Sequence, residues 1–419
     1  MQTIMTSVST VIFNMFIFLS VYVQVFFLIT FFENRKKIVT RTGKIKLATY
    51  PSVTVIVPCW NEELTIKGTV DSLLELNYPQ DKLKILLVDD GSTDNTLDVI
   101  RSFEKYENVK IFHKENGGKH TALNFGIKRT DTDFLGCLDA DSMADKEALV
   151  RIMSYFEKSP TTMAVSPSVV TNKPKSILQS AQKVEYDMSV YVKKMLGLIG
   201  GIHVTPGPLT IFRMKVFDNL GPYRHAHNTE DMEIAYRMQK NHYSIDQCND
   251  AYVYTNTPNT VKKLHKQRLR WLYGFINNTI DYKDVLFKKK YGNFSFFTLP
   301  AGILSVVAAS YLIGRFFYKI GDIIYLKIVE YETVGFHISR ELPTIDPFFL
   351  NTQSTFLFII ILLYILVITS IVLGRKMSEE KSGFSFDMVY FFIIYGIIAP
   401  FWLINAVYST VLSKKPTWR

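Results

Sequence analysis

Apolar and polar positions follow different rules in different parts of this chain. Residues 11–32 hold no charged side chain, and about 20 apolar residues in a helix suffice to cross a bilayer. That run is too long for the apolar part of a secretory signal peptide, no basic segment precedes it and no small-residue cleavage site follows. A retained transmembrane helix is therefore expected over 1–33. Three further apolar segments, about 294–317, 356–373 and 388–411, close the chain, with interiors free of Asp, Glu, Lys and Arg apart from Arg315 near an end. Between the apolar ends, short apolar runs alternate with stretches of helical periodicity, which predicts strands alternating with helices.

Strands are expected at 53–57, 84–88, 109–112 and 134–138, with a fifth at 163–166. The helices between them carry apolar residues at helical spacing, as in Ile66, Val70 and Leu73 or Leu149, Ile152 and Phe156. This order predicts an α/β fold: an open, mainly parallel sheet with flanking helices and right-handed crossovers, set between transmembrane helices. Past about residue 176 the sheet pattern fades into a long helix reaching about 197, a Gly/Pro-rich loop over 200–208, the stretch 208–217, and a polar run to Asn228. A helix to about Lys240 and a basic helix over about 261–282 follow. The expected organisation is a transmembrane helix at 1–33, a basic linker at 34–50, a catalytic-type α/β domain at 51–260, an interfacial amphipathic helix at 261–293, about three spans within 294–413, and a basic tail at 414–419.

The chain has 419 residues, is 48% hydrophobic and carries a formal net charge of +10. That charge does not point to nucleic acid. Lys and Arg gather beside the apolar segments, at Arg35, Lys36 and Lys37, at Lys288, Lys289 and Lys290, at Arg375 and Lys376, and at Lys414 and Lys415. Anionic lipid and the positive-inside bias explain such flanks, and they put the middle domain in the cytoplasm of a multi-pass protein of the cell membrane. The three cysteines, Cys59, Cys137 and Cys248, have neither metal-site spacing nor a disulfide framework, which suits a reducing compartment. The lack of intramembrane charges argues against a transporter. One conflict remains in the pattern: three spans after a cytoplasmic domain would put Lys414, Lys415 and Arg419 outside. A re-entrant segment, or an extra one hidden near 320–329 in the mixed stretch 318–353, would remove it.

Candidate chemistry lies at the strand ends. The fourth apolar run ends in Asp139 and Asp141, and in an open parallel sheet ligands bind outside the carboxyl ends of the strands. Two such acids can hold a hard divalent cation that bridges to substrate phosphates. Alternatively, Asp141 or Ser142 caps a helix starting near Asp145. Asp89 and Asp90 end the second run, where Asp90 can accept hydrogen bonds from a nucleobase or ribose, or simply make an Asp-Gly turn. Asn116, Gly117, Gly118 and Lys119 open a helix, an arrangement that suits a diphosphate and is also ordinary punctuation. All three fall on one edge of one sheet. Thr229, Glu230 and Asp231 precede a later helix, either as a carboxylate poised as general base or as an N-cap at Asn228 or Thr229 with acids in the first turn. Gln267, Arg270 and Trp271 share a helix face. The same helix reads as an interfacial one, with Lys262, Lys263, Lys266 and Arg268 toward lipid phosphate.

Asp90, Asp139-x-Asp141, Thr229-Glu230-Asp231 and Gln267-x-x-Arg270-Trp271, in that order, resemble the processive, membrane-integrated family 2 glycosyltransferases. These are the synthases of cellulose, chitin, hyaluronan and poly-N-acetylglucosamine. The resemblance runs from about 53 to 271 and into the flanking membrane segments. It implies a GT-A-like fold in which Pro58, Asn61, Glu62 and Asp90 contact the uridine of a UDP-sugar, with Lys119 near the nucleotide. By the same resemblance Asp139 and Asp141 hold the sugar-phosphate side, Asp141 through Mg²⁺ or Mn²⁺. Asp231, in its Thr229-Glu230-Asp231 motif, deprotonates the acceptor for inverting attack, and Gln267, Arg268, Arg270 and Trp271 serve the diphosphate and acceptor end. Residues 207–213 resemble the loop near the acceptor in hyaluronan and chitin synthases.

The implied activity is transfer from UDP-N-acetylglucosamine or UDP-glucose to a growing β-linked polysaccharide, coupled to export. Arg268 through Trp271 fits the poly-N-acetylglucosamine synthases, which usually continue Ala-Gln-Gly-Gly, whereas this chain has Leu272, Tyr273, Gly274 and Phe275. A cyclic-di-GMP-binding barrel is not expected after the last span, so such control needs a partner such as a small membrane accessory subunit. The competing readings are a non-processive transferase acting on a lipid or polyprenyl-phosphate acceptor, and a nucleotide-binding membrane scaffold without catalysis.

Overall fold

The computed structural model describes residues 2–38, 43, 45–335, 352–378 and 383–414. Helix α1 (Gln2–Asn34) leads into strand β1 (Val53–Cys59), α2 (Ile66–Leu74), β2 (Leu83–Asp89), α3 (Thr96–Arg101), β3 (Val109–His113), α4 (Lys119–Ile127) and β4 (Phe134–Cys137). Then come β5 (Ser142–Ala144), α5 (Ala148–Lys158), β6 (Thr162–Thr171), α6 (Ile177–Leu198), β7 (Ile211–Arg213), α7 (Lys215–Leu220), α8 (Glu230–Lys240), β8 (Ser244–Thr255) and α9 (Val261–Asp281). The chain ends in α10 (Leu299–Val334), α11 (Thr352–Met377) and α12 (Asp387–Val411).

The strands form one sheet in the order β3-β2-β1-β4-β7-β6-β8-β5. Strands β3, β2, β1 and β4 run parallel, as do β6 and β8, whereas β7 is antiparallel to both its neighbours and β5 to β8. Strands β1 and β2 are mostly apolar and buried because helices cover both faces. Val53, Val55 and Val57 pack into one core with α2 and α5, while Ile56 packs into the other with residues of α4, α6 and α8. Period-2 alternation thus feeds two cores from one strand.

Strand β8 is the element the apolar pattern does not reveal. Its sequence is rich in Asp, Gln and Asn, yet Gln247, Asn249 and Asp250 are buried. Gln247 Nε2 donates to the Pro167 carbonyl at 2.8 Å and Arg151 pairs with Asp250 at 3.1 Å, and such pairing makes the burial tolerable. The sheet therefore continues past residue 176 instead of fading.

The capping alternative fails at Asp141 and is met only in position at Thr229, the N-cap residue of α8 with Glu230, Asp231 and Glu233 in the first turn. Residues 142–144 form β5 and helix α5 begins only at Ala148, so Asp141 caps nothing. At α8 the Thr229 hydroxyl makes no cap bond; it donates to the Ala226 carbonyl at 2.9 Å and accepts from Asn278 at 2.9 Å.

Among the described residues four helices are long and apolar enough to cross a membrane: Ser9–Asn34, Phe294–Thr333, Leu357–Met377 and Asp387–Val411. Helices α1 and α10 are antiparallel neighbours, since Tyr311 donates to the Ser9 carbonyl at 2.6 Å and Phe26 meets Phe297 at 4.4 Å. Helix α11 joins them through Ser370 and Gln24, 3.0 Å apart. The region 320–329 is no separate segment but the continuation of α10, and so belongs neither to an outer loop nor to an extra span. The tail cations Lys415 and Arg419, and the part of 318–353 beyond 335 and before 352, lie outside the described residues.

Candidate active site

Strand β4 and the turn after it carry Asp139 and Asp141 to the carboxyl edge of the sheet. The loop between α6 and β7 passes close over them. At Gly207 a Cβ would lie 2.7 Å from an Asp139 oxygen and 2.7 Å from Lys119 Nζ, so only glycine lets this backbone come so near. Lys119, the first residue of α4, bridges two parts of the chain: its Nζ lies 2.6 Å from Asp139 and 3.4 Å from Glu230. Burial alone would lower that amine, but the two carboxylates hold it well above its usual range.

The segment before α8 adopts an uncommon backbone. Ala226, His227 and Asn228 all have positive φ, at 42°, 56° and 61°, a conformation that persists only where its surroundings enforce it. Helix α9 does so. Arg270 Nη1 donates to the Asn228 carbonyl at 2.8 Å, Asn278 holds Thr229, and His227 pairs with Asp281 at 2.8 Å. From the other side the Thr205 hydroxyl donates to the Asp231 carbonyl at 2.8 Å.

Held this way, Glu230 and Asp231 diverge chemically. Burial would raise Glu230, but Lys119 overrides it and holds the carboxyl below its usual range. Asp231 has no cation of its own, and burial together with the charge of Glu230 pushes it up to about 6. Two adjacent carboxyls with values driven apart make Asp231 the one chemically suited to take a proton, with Glu230 held in an ion pair.

Asp139, Asp141, Lys119, Thr229, Glu230, Asp231, Gln267, Arg268, Arg270 and Trp271 line one cavity of about 520 Å³. Arg268 is buried, not turned to lipid. It pairs with Glu185, which also receives the Tyr395 hydroxyl, and it lies 4.1 Å over the Trp271 ring. Of the four cations expected toward lipid phosphate, Lys262 and Lys263 are exposed, Lys266 is half-buried and Arg268 is turned inward.

The remaining expected residues lie on the same edge but outside that cavity. Asp90 is buried and already accepts from Lys114 Nζ at 2.5 Å and from the amides of Gly117 and Gly118 at 3.1 and 2.8 Å. Those amides thus serve Asp90, not a phosphate. Asn61, at φ 54°, accepts from the Thr93 amide at 2.8 Å, and Glu62 receives Thr65 at 2.6 Å. Pro58 ends β1 beside them. A larger groove of about 770 Å³, on the far side of α8, holds none of the expected residues.

Among the described residues no group of three or more His, Cys, Asp or Glu side chains could hold a metal ion by itself. Asp141 is nonetheless suited to one in company. Burial, Asp139 and Glu62 push its carboxyl up to about 7, and its side chain accepts only from Ser142, at 3.0 Å. A hard cation completed by substrate oxygens fits that deficit.

Two residues absent from the expected set also line the cavity, Lys193 of α6 and His203 of the following loop. The signal for Lys193 lay in a polar stripe at four-residue spacing, Glu185, Ser189 and Lys193, on a helix whose other side buries Val184, Tyr191 and Met195. His203 gave no signal beyond its place in the Gly/Pro-rich loop.

Residues 54–221 match the family model described as glycosyl transferase family 2. A poly-beta-1,6-N-acetyl-D-glucosamine synthase of Staphylococcus epidermidis is 27% identical over 357 residues, covering 78% of this chain and 86% of the relative. The enzyme of that name from Staphylococcus aureus strain COL is 29% identical over 269 residues, 62% of this chain and 65% of the relative. A solved mannosyltransferase from Pyrobaculum calidifontis, in complex with GDP-Man and Mn²⁺, superposes with a TM-score of 0.61 at 16% identity, over 96% of this chain and 99% of that one. That likeness establishes a shared fold.

Proposed function

The chain belongs to the family 2 glycosyltransferases, and we propose that it transfers N-acetylglucosamine from UDP-N-acetylglucosamine to the end of a growing β-linked polysaccharide, exported as it grows. The observation that carries this reading is the single cavity in which Asp231 faces Asp139 and Asp141. The donor diphosphate lies toward Asp139 and Asp141, and the acceptor hydroxyl toward Asp231. Asp231 takes the acceptor proton as its oxygen attacks C1 of the sugar from the face opposite the UDP leaving group, giving a β-linkage by inversion. Asp141, with Asp139, would hold Mg²⁺ or Mn²⁺, which supplies charge stabilisation to the leaving diphosphate. Arg270 has the fork geometry to assist the same phosphates, and Trp271 offers a ring face to a sugar. Pro58, Asn61, Glu62 and Asp90 form the nucleoside end, with Asp90 shaping the turn that the uracil meets.

The same reading has α1, α10 and α11 crossing the bilayer with the catalytic domain at their cytoplasmic ends, and it is supported by the packing of α1 against both α10 and α11. Helix α12 instead stays against the catalytic domain, from Met388 beside Val184 to Thr410, 3.2 Å from Asn277 of α9. Its outer stripe of Ile393, Ile397, Phe401 and Tyr408 is exposed and apolar. Its other side is taken up by the catalytic domain, and a helix laid along that domain at the membrane surface returns Lys414 to the cytoplasmic side.

The test is turnover by purified protein in lipid nanodiscs with a panel of labelled UDP-sugars, with and without Mg²⁺ or Mn²⁺. Polymer from UDP-N-acetylglucosamine is expected, and the Asp231→Asn variant should bind UDP yet make none. A product stopping at one sugar on a lipid phosphate would defeat the polysaccharide reading in favour of a non-processive transferase.

A further inference from the structure

Beyond Asp231, the cavity has an end that the transfer chemistry leaves unused. Lys193 projects from the polar stripe of α6 into this end. It is half-buried and makes no hydrogen bond or ion pair among the described residues; Asp231 is the anion whose charge acts on it. His203 stands opposite. Its Nδ1 is buried without a hydrogen bond, and its ring meets Phe275 edge-on at 6.2 Å. An imidazole nitrogen withdrawn from water without a partner is costly to hold, native proteins leave few such groups unsatisfied, and the half-buried Lys193 has donors to spare in the same cavity. Trp271, Phe275 and Trp402 of α12 add an aromatic wall to the same end. Unsatisfied donors beside aromatic faces are the complement of a pyranose ring, which offers hydroxyl and amide oxygens at its rim and an apolar face.

We propose that Lys193 and His203 form the subsite that grips the terminal sugar of the acceptor, an N-acetylated hexose of a β-linked oligosaccharide, Lys193 donating to a ring-substituent or acetamido oxygen and His203 pairing with a hydroxyl. This rests on the reading of the cavity as a glycosyl-transfer site and names the acceptor side of it. Burial lowers Lys193 to about 8 and His203 to about 4, so near neutrality the imidazole is uncharged, able to donate from one nitrogen and accept at the other. Lys193 is a positioning residue: it orients the hydroxyl that Asp231 deprotonates.

The experiment measures steady-state kinetics of the full chain in nanodiscs, with an N-acetylglucosamine oligosaccharide as the varied acceptor and, separately, UDP-N-acetylglucosamine as the varied donor. For Lys193→Met and His203→Ala the acceptor KM should rise at least tenfold while the donor KM moves less than twofold. Lys193→Arg should recover most of the loss. Equal changes in both KM values, or an unchanged acceptor KM, would overturn the proposal. Calorimetric binding of UDP separates a misfolded variant from an acceptor defect: a variant that no longer binds UDP is set aside, and His203→Asn, which keeps an amide donor and acceptor at that place, then decides. A glucose oligosaccharide and a polyprenyl phosphate serve as further acceptors. If the lysine substitution weakens only the lipid phosphate, the subsite reads phosphate and the sugar assignment is wrong. If the wild type transfers to no acceptor, the transferase reading itself fails, and the parallel UDP-binding measurement shows that loss apart from the subsite.

Discussion

The contact between α9 and the Thr229-Glu230-Asp231 segment sets a specific requirement at Gly274. A Cβ placed there would stand 2.3 Å from Thr229 Oγ1 and 2.4 Å from its Cγ2, against ordinary contact at 3.4 Å or more. Gly274→Ala must therefore displace Thr229, or α9, by about 1 Å, and overpacking of this kind costs about 1–3 kcal/mol. The peptide that moves also carries Glu230 and Asp231. A misplacement of about 1 Å in a reacting group lowers turnover on the order of 100-fold, equivalent to about 2.7 kcal/mol of barrier. Nanodisc turnover of the variant should fall by that factor while UDP binding by calorimetry stays within threefold, because Asp139 and Asp141 sit on the sheet. Adding Thr229→Ala removes the two nearest atoms, leaving only the residue-229 Cβ at 2.9 Å, and should restore at least tenfold of the loss. If Gly274→Ala turns over within threefold of wild type, α9 does not position the base.

Two further predictions follow from charge. Asp231, raised to about 6 by burial and Glu230, must be ionised to act; turnover should be full above that value and fall about tenfold per pH unit below it, and Glu230→Gln should move the acid limb to lower pH, read from a pH profile of kcat. Arg375, buried at the end of α11, joins Asp187 of α6 at 3.1 Å to Asp387 of α12 at 2.6 Å. Arg375→Met leaves Asp387 without its cation and Asp187 with Lys183 alone, 3.1 Å away, and breaking such a buried pair costs about 3–5 kcal/mol; the apparent Tm of the purified protein should fall, whereas a conserved Tm would show that the network is not a clasp.

Local chemistry announced the donor half of the site. Apolar runs buried on both faces made β1, β2 and β4 legible, and the carboxylates that end them had to lie on one edge once those strands ran parallel. Helix α9 was equally legible, because capping and periodicity are properties of neighbours in sequence. Strand β8 was not: its Asp246, Gln247 and Asp250 read as a loop until Thr162, Pro167 and Arg151 supply their partners from elsewhere in the chain.

Tertiary structure decided the division of labour within the site. The resemblance singled out Asp231 over its neighbour Glu230; the structure adds a physical reason, since Lys119, about a hundred residues earlier, pairs with Glu230 and leaves Asp231 raised and suited to accept a proton. It also turned Arg268 inward onto Glu185, took the Gly117 and Gly118 amides for Asp90, and brought Lys193 and His203 to the cavity. The apolar periodicity of α12 was visible from the start, but not its place, since an apolar face is satisfied equally by lipid or by protein. Its packing against α6 and α9, from Met388 to Thr410, is a tertiary fact that the periodicity could not supply.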